Sequence, residues 1–293
     1  MRTRTPVTLS ESILRIAVAL LVLGAVVALF AWLPSGCTPM VNHFAFYPET
    51  GRPLGAGQLA PGIEPVRFPT DDGETIEGYF IPPTRRPERL VLYFHGNAGN
   101  IAQRLPELRE MAARTGAAVF GSGYRGYGAS TGAPSEKGIY RDGEAALRHA
   151  RETLRFTPAQ IVVVGRSLGS TVATHLAASG EAFAGVILVT PLSTGRDFGR
   201  AHMGAISLMA GRSFDSLGRA ASIRAPVLVI HGLDDTVIPY EHGKRLFEAL
   251  PGPKRLVLMP GAGHNNLEFV DADTYWGAFT RFVDDPAAEA ARP

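Results

Sequence analysis

Residues 165–169 read G-R-S-L-G, a pattern that places Ser167 where a nucleophile could stand. Residues 160–164 are largely apolar and predict a buried strand, whereas residues 170–178 predict a helix. A serine on a sharp turn between a strand and a helix exposes its hydroxyl above the sheet, and the flanking glycines avoid collisions with the neighbouring strand and helix. The pattern predicts acyl-transfer chemistry at Ser167, with an ordinary strand-to-helix turn as the alternative.

Acyl transfer needs a general base, because a free hydroxyl is a poor nucleophile at neutral pH. His264 follows the last predicted strand, in a loop that reads G-A-G-H-N-N. The glycines allow this loop to fold over the edge of the sheet. A lone histidine in a loop is more often a solvated surface residue, but its place between the final strand and a terminal helix favours the base.

A carboxylate is needed to orient the imidazole and to stabilise its protonated form. Asp234 and Asp235 follow the strand predicted at residues 226–230. The strand before that one is followed by no acidic residue until Asp197. The chain therefore supplies a serine, an acid and a histidine in that order, with two neighbouring aspartates as candidates for the acid.

The elements around these residues predict an α/β fold. A predicted antiparallel hairpin at residues 66–81 is followed by short, continuously apolar strands that alternate with amphipathic helices. Such strands indicate a mostly parallel sheet that is covered by helices on both faces. The further predicted strands lie at residues 90–94, 117–120, 160–164, 185–189, 226–230 and 254–258.

Together these motifs resemble those of the α/β-hydrolase superfamily, over nearly the whole stretch from Val66 to Val283. Within it, the chain is similar to the short-lid, often membrane-anchored serine hydrolases, a group that includes lysophospholipases and protein depalmitoylases. Residues 95–100 (H-G-N-A-G-N) resemble the oxyanion loop of that group, and residues 124–128 (Y-R-G-Y-G) resemble its next signature. The resemblance implies an α/β-hydrolase fold with a short lid and a serine hydrolase activity.

The resemblance also separates the two aspartates. The family pattern H-G-x-x-D-x-x-[VI]-P matches residues 231–239 and places its aspartate on Asp235 rather than on Asp234. The order Ser167, Asp235, His264 is then the order of the family's triad. Gly123 departs from the pattern, since the group commonly has Asp or Asn there, but this position has no catalytic role.

Two main-chain amides are the candidate oxyanion hole. Gly96 lets the chain turn sharply after its strand, so that the N–H of Asn97 can point into the site. The N–H of Leu168 begins the predicted nucleophile helix, where amides are unpaired and the helix dipole favours negative charge. Together they would hold the negative oxygen of a tetrahedral intermediate.

The N-terminal segment differs from the rest of the chain. Residues 16–33 carry no charge, and these 18 residues would rise about 27 Å as a helix, close to the roughly 30 Å hydrocarbon core of a bilayer. Arg2, Arg4 and Arg15 precede this run, and no Lys or Arg follows it until Arg52. This asymmetry predicts a membrane anchor or export signal that puts the remaining chain on the extracytoplasmic side, in a bacterial periplasm.

Cys37 is the only cysteine, so no intrachain disulfide can form. It ends the sequence L-P-S-G-C, which resembles a bacterial lipoprotein signal, where a Gly-Cys step precedes a lipidated N-terminus. Pro34 stands where that signal normally has an aliphatic residue. An uncleaved anchor is therefore favoured over lipidation at Cys37, and either form would tether the domain to the membrane.

The sequence divides into four segments. Residues 1–37 are the anchor or lipoprotein-type signal, 38–65 a linker that leads into the domain, 66–285 the hydrolase domain and 286–293 a short, frayed tail. A lid is expected at about residues 191–223, and no other residues are assigned to substrate binding. Its larger apolar residues could line an acyl pocket, although core packing is the commoner role of such a set. They are Phe198, Met203, Ile206, Leu208 and Met209.

Composition argues against several other classes of protein. The chain has 29 Lys and Arg against 27 Asp and Glu, and the whole excess lies in the N-terminal segment. No basic patch therefore predicts nucleic-acid binding. The scattered histidines form no H-x-x-x-H pair, and the glycine-rich residues 121–123 lack the spacing of a nucleotide-binding loop. We expect no metal and no cofactor.

The sequence thus predicts a membrane-tethered serine hydrolase that cleaves carboxylic esters or thioesters through an acyl-enzyme, with lipid-like esters among the candidate substrates. A serine peptidase with the same residues is the nearest alternative. A catalytically silent α/β-hydrolase fold that binds a partner at the membrane is the alternative from another class. The fold alone does not separate them, but the presence of all five functional positions favours the enzyme.

Overall fold

A computed structural model describes residues 15–25, 45–54, 56–203 and 212–292. Ten strands lie in these residues: β1 (Tyr47–Pro48), β2 (Glu64–Pro69), β3 (Thr75–Ile81), β4 (Arg86–Phe94), β5 (Ala98–Gly99), β6 (Ala117–Ser122), β7 (Ile161–Arg166), β8 (Gly185–Val189), β9 (Val227–Gly232) and β10 (Lys254–Met259). Eight of them form one sheet in the order β10-β9-β8-β7-β4-β6-β3-β2, and β1 pairs with β5 separately.

The main sheet is parallel apart from β3, which runs antiparallel to both of its neighbours. The helices are α1 (residues 15–25), α2 (Leu105–Thr115), α3 (Glu136–Glu152), α4 (Gly169–Ala177), α5 (Gly195–Met203), α6 (Ser216–Ala220), α7 (Glu241–Ala249), α8 (Leu267–Val270), α9 (Ala272–Asp284) and α10 (Pro286–Ala290). Short 3₁₀ turns cover Ala56–Gln58, Ile101–Arg104 and Pro158–Gln160.

Side chains of the central strands alternate between two hydrophobic clusters, one on each face of the sheet. Leu92 and Val163 pack with α3, α4, α6 and α7 on one face, whereas Val91 and Val162 pack with α2, α9 and α10 on the other. Strands that are buried on both faces read as continuous apolar runs, which is the pattern seen in the sequence. The predicted α/β sheet with helices on both faces is confirmed.

Two segments differ from their sequence-based interpretation. Residues 46–51 lie within the segment predicted as a linker, yet they pair with the loop that follows β4. The C-terminal residues predicted as a frayed tail include the helix α10, which packs on α9. In α10 the Glu289 carboxylate is 3 % exposed and contacts three arginines. They are Arg255, Arg281 and Arg292.

The N-terminal helix α1 exposes its apolar side chains. Its isoleucine, valines and leucines are all at least half exposed, up to 74 % for Leu21. In the residues that the structure describes, no helix combines the length and the apolar character that a membrane span requires. The predicted anchor continues to residue 33, and both residues 26–33 and Cys37 lie outside the described residues.

Glu289→Ala should lower the free energy of unfolding by about 1–2 kcal/mol, because it removes a buried carboxylate from three partly exposed guanidinium groups. Urea denaturation of the purified protein would measure the change. Glu110→Ala is the matched control, since Glu110 pairs with Arg114 where both side chains are 46 % exposed. We expect a change within about 0.5 kcal/mol for the control. Equal losses in the two variants would contradict the packed helix.

Candidate active site

Ser167 stands on a tight turn between β7 and α4, at the carboxyl edge of the sheet. Its φ of 54° lies in the left-handed region, and its N–H donates to the carbonyl of Val189 on the next strand over 2.9 Å. A Cβ at Gly165 would collide with the main chain of Gly169, and a Cβ at Gly169 would collide with the carbonyl of Phe94. The two flanking glycines are therefore required by close approach, as the sequence predicts.

The structure brings Ser167, His264 and Asp235 together although they lie far apart in the chain. The Oγ of Ser167 is 3.0 Å from Nε2 of His264, and Nδ1 of His264 is 2.7 Å from a carboxylate oxygen of Asp235. With neutral histidine, the serine hydroxyl donates to Nε2 and the Nδ1–H donates to the carboxylate. This is the arrangement that a Ser-His-Asp triad needs.

The environment of Asp235 differs from that of Asp234. Asp235 is buried, and its second oxygen accepts from the main-chain N–H groups of Val237 and Ile238 over 2.9 and 2.8 Å. Asp234 is exposed, and its N–H donates to a carbonyl of the loop after β10. Of the two aspartates, only Asp235 contacts the imidazole of His264 in the described structure.

The carboxyl group of Asp235 stays ionised in spite of its burial. Burial alone would raise its pKa, but hydrogen bonds from His231 and His264 outweigh that effect and hold the pKa well below its usual range. His231 is itself fully buried, and its Nε2 lies 2.8 Å from the carbonyl of Ile238, at the end of the same loop. Asp235 is thus an anion beside His264 at neutral pH.

The two predicted oxyanion donors lie next to the serine. Leu168 immediately precedes α4, and Asn97 follows Gly96, where a Cβ would stand 3.5 Å from that of Ser167. Within the described ranges, the N–H groups of Asn97 and Leu168 donate to no protein acceptor. Both amides are therefore available to a ligand oxygen.

A cavity of about 810 Å³ opens beside these groups. Asn97, Ser167 and His264 line one side of it, and Phe269 and Trp276 line another. None of the described residues in the predicted lid lines this cavity; Phe198, one of the candidate pocket residues, instead packs against the core. Ile206, Leu208 and Met209 lie outside the described residues, as does the side chain of Met203. The described residues also contain no cluster that could hold a metal ion.

Arg166 is a site residue that the sequence analysis does not single out. Its guanidinium lies 3.3 Å from the carboxylate of Glu107 and 3.6 Å from that of Glu268, and it donates to the carbonyl of His264 over 3.4 Å. It therefore connects β7, α2, α8 and the histidine loop. The one sequence signal for Arg166 is its position next to Ser167, because its contact partners lie in distant segments of the chain.

Comparison with known proteins gives the family. The chain is 33 % identical over 269 residues to the uncharacterized protein Rv2307c of Mycobacterium tuberculosis, covering 89 % of this chain and 95 % of that one. It is 34 % identical over 206 residues to alpha/beta hydrolase domain-containing protein 17B of Homo sapiens, covering 70 % of each. The chain belongs to the α/β-hydrolase superfamily. The predicted resemblance and the hydrolase class are thereby confirmed.

Two further comparisons agree with this family. Residues 85–218 match the family described as serine aminopeptidase, S33. The fold matches the esterase Pf2001 of Pyrococcus furiosus with a TM-score of 0.65 at 19 % identity, over 81 % of this chain and 98 % of that one. It also matches an acetyl xylan esterase from Paenibacillus sp. R4 with a TM-score of 0.65 at 22 % identity, over 84 % and 91 %. At these identities the structures establish the fold alone.

Asp235→Asn should lower kcat on a soluble ester by about 10⁴-fold, because an amide beside Nδ1 favours the wrong tautomer of His264. Asp234→Asn is the matched control, and its exposed side chain should make it nearly silent. Steady-state kinetics on both variants, with circular dichroism to verify folding, provide the comparison. A larger loss in Asp234→Asn would show that the acid is assigned to the wrong residue.

Proposed function

We propose that this protein is a membrane-tethered serine hydrolase that cleaves carboxylic esters or thioesters through an acyl-enzyme. The observation that carries this proposal is the series of hydrogen bonds from Ser167 through His264 to Asp235. The amides of Asn97 and Leu168, which have no acceptor among the described residues, support it, because acyl transfer needs donors for an oxygen that becomes negative. Membership of the superfamily supports hydrolysis in general.

In the proposed acylation step, Oγ of Ser167 attacks the carbonyl carbon of the substrate while its proton passes to Nε2 of His264. The carboxylate of Asp235 stabilises the resulting imidazolium through Nδ1–H. The amides of Asn97 and Leu168 donate to the carbonyl oxygen as it takes up negative charge. The bond to the leaving oxygen or sulfur then breaks, and the proton on Nε2 passes to that atom.

Deacylation repeats these steps with water as the nucleophile. Water gives a proton to Nε2 of His264 and attacks the acyl carbon, and the same two amides hold the second tetrahedral intermediate. When this intermediate collapses, the proton returns from Nε2 to the Oγ of Ser167 and the carboxylic acid is released. No group other than water is consumed.

A serine aminopeptidase is the second candidate, because residues 85–218 match a family of that description. Such an enzyme binds the free ammonium group of its substrate, for which a carboxylate is a suitable partner. The carboxylates of Glu107 and Glu268 line the cavity, and the single Arg166 guanidinium lies 3.3 and 3.6 Å from them, so it offsets only one of their two negative charges. The substrate panel below therefore includes aminoacyl amides beside esters and thioesters.

The proposed tether rests on the N-terminal segment. The sequence is uncharged from residue 16 to residue 33, and the apolar side chains of α1 are exposed rather than packed on the hydrolase core. Arg2, Arg4 and Arg15 precede this run and no Lys or Arg follows it until Arg52, which supports an extracytoplasmic position for the catalytic domain. Lipidation at Cys37 remains the alternative form of the tether.

Ser167→Ala should abolish both ester turnover and labelling by a fluorophosphonate probe, because it removes the atom that attacks the acyl or phosphonyl centre. The wild-type protein should label at Ser167, as intact-mass and peptide analysis would show. A panel of p-nitrophenyl esters of rising chain length, thioesters, lysophospholipids and aminoacyl amides would separate the ester, thioester and peptidase readings.

Ser170→Ala is a suitable control for this experiment, since Ser170 is a fully buried neighbouring serine whose hydroxyl bonds to the main chain of Ser167. It should lose some stability and keep probe labelling. A correctly folded wild-type protein that neither labels nor hydrolyses any substrate would support the silent binding module instead. Activity close to wild type in Ser167→Ala would refute the nucleophile assignment.

Removal of residues 1–36 should release the protein from membranes and leave hydrolysis of short, soluble esters intact, because the candidate catalytic groups all follow residue 95. Hydrolysis of lipids in vesicles should fall, since the tether raises the local concentration of enzyme at the bilayer. Fractionation and kinetics on both kinds of substrate would measure these effects.

Cys37→Ser in the full-length protein distinguishes the two forms of tether. An uncleaved apolar helix stays in the membrane whether or not the Cys37 thiol is present. We therefore expect the variant to remain in the membrane fraction, with an intact mass that includes the whole N-terminal segment. A mature N-terminus at a diacylated Cys37 in the wild-type protein would instead establish a lipoprotein.

A further inference from the structure

Residues 46–51, which we call the strap, lie along the oxyanion loop although they precede the main sheet in the chain. Within the strap, β1 runs parallel to β5. The N–H of Tyr47 donates to the carbonyl of Asn97 over 3.1 Å, and the N–H of Glu49 donates to the carbonyl of Gly99 over 3.1 Å. The strap thus adds a short strand to the loop that presents the Asn97 amide.

Both ends of the strap are fixed. At one end, Phe46 is buried and meets the ring of Phe214 edge-on, with centroids 6.0 Å apart. At the other end, the N–H of Gly51 donates to the carbonyl of Gly128 over 2.8 Å, and the N–H of Gly128 donates to the carbonyl of Glu49 over 2.9 Å. The strap is therefore part of the folded domain rather than a free connection.

The carbonyl of Asn97 accepts two hydrogen bonds from different parts of the chain. One comes from the N–H of Tyr47 and the other from the hydroxyl of Tyr127 over 2.7 Å. The preceding peptide group is held as well, since Nδ1 of His95 lies 2.7 Å from the carbonyl of Gly96. Burial lowers the pKa of His95 to about 3, so the ring is neutral and can donate only from Nδ1 to that carbonyl.

These contacts fix both peptide groups that flank the Cα of Asn97. The N–H of Asn97 belongs to the same planar peptide group as the carbonyl of Gly96, so holding one orients the other. The bonds from Tyr47 and Tyr127 then prevent the following peptide group from turning and carrying the loop away from Ser167. An oxyanion hole stabilises a transition state only when its donors already point at the developing charge.

We propose that the strap and Tyr127 are positioning elements of the oxyanion hole, which hold the Asn97 amide toward Ser167 by clamping the Asn97 carbonyl. The inference rests on the proposed serine hydrolase function. It assigns a role in turnover to a segment that the sequence reads as a linker, and to the second tyrosine of the Y-R-G-Y-G motif. Neither Tyr47 nor Tyr127 lines the cavity beside Ser167, so each would act through Asn97.

Tyr47→Pro and Tyr127→Phe test the proposal in the full-length protein. The first removes the amide donor, and because the Tyr47 side chain is 53 % exposed, little packing is lost with it. The second removes only the hydroxyl. Each should lower kcat for a soluble p-nitrophenyl ester by about 10- to 100-fold, with KM within about twofold, because a misaligned donor weakens transition-state binding alone.

Two further readouts separate positioning from plain structural support. A boronic acid, which forms a tetrahedral adduct with the serine, should lose affinity in parallel with kcat. The fold-loss of kcat in the double variant should be smaller than the product of the fold-losses in the two single variants, because both donors hold the same carbonyl. Arg52→Pro is the control: Arg52 is exposed, its amide donates to no described residue, and we expect its kcat within about twofold of wild type.

A lower melting temperature with unchanged kcat and unchanged boronic acid affinity in both variants would overturn the proposal. The strap would then stabilise the fold without positioning the oxyanion donor. A rise in KM at constant kcat would overturn it too. If Tyr47→Pro does not fold, Tyr127→Phe and its boronic acid affinity decide the question. Failure of the underlying function is distinguishable, because the wild-type protein itself would then show neither fluorophosphonate labelling nor turnover.

Discussion

The backbone turn at Ser167 is the constraint on which the site geometry depends. A serine with a φ of 54° is strained by about 1–3 kcal/mol relative to ordinary conformations. The bond from its N–H to Val189 and the burial of α4 against the sheet hold it there. This turn aims the hydroxyl at the histidine loop and leaves the Leu168 amide, just before α4, without an acceptor in the part of the chain that the structure describes. It also explains why no side chain is tolerated at Gly165 or Gly169.

Contacts of charged side chains in the candidate site join loops that follow different strands. Asp235 is a buried anion that two main-chain amides and two histidines stabilise. Arg166 lies between the carboxylates of Glu107 and Glu268 and at the same time contacts the carbonyl of His264. Burying an unpaired charge would be costly, so each of these groups requires its partners to be in place. The ionic contacts therefore help to determine the relative positions of β7, β9 and the loop after β10.

Much of the fold and of the candidate site could be predicted from the sequence, because the signals were local. Continuous apolar strands predicted a sheet buried on both faces, and the two glycines of residues 165–169 predicted the strand-to-helix turn that carries the candidate nucleophile Ser167. The histidine and the acid were recognisable from their places after predicted strands. The choice of Asp235 over Asp234 came from a family pattern, and the structure gives its physical counterpart in the burial of one neighbour and the exposure of the other.

The segments that were missed carry no periodic pattern. A two-residue strand such as β1 is defined by its partner, and nothing in a Gly- and Pro-containing stretch indicates which loop it will pair with. The helix α10 read as a tail because alanine-rich residues show little amphipathicity, and its burial depends on a carboxylate that meets arginines from β10 and α9. Arg166 likewise gained its contacts from residues about 60 and 100 positions away.

The strap also determines where the chain can be joined to a relative in a chimeric protein. The match to the family described as serine aminopeptidase, S33, begins at residue 85, after the strap and the first hairpin, and ends at residue 218, before Asp235 and His264. The framework of the candidate site therefore extends well beyond the segment that this family description matches. In a chimera that exchanges N-terminal segments between relatives, a junction drawn after residue 51 would replace the proposed tether and the proposed support of the oxyanion loop together. A junction before residue 46 would exchange the proposed tether alone.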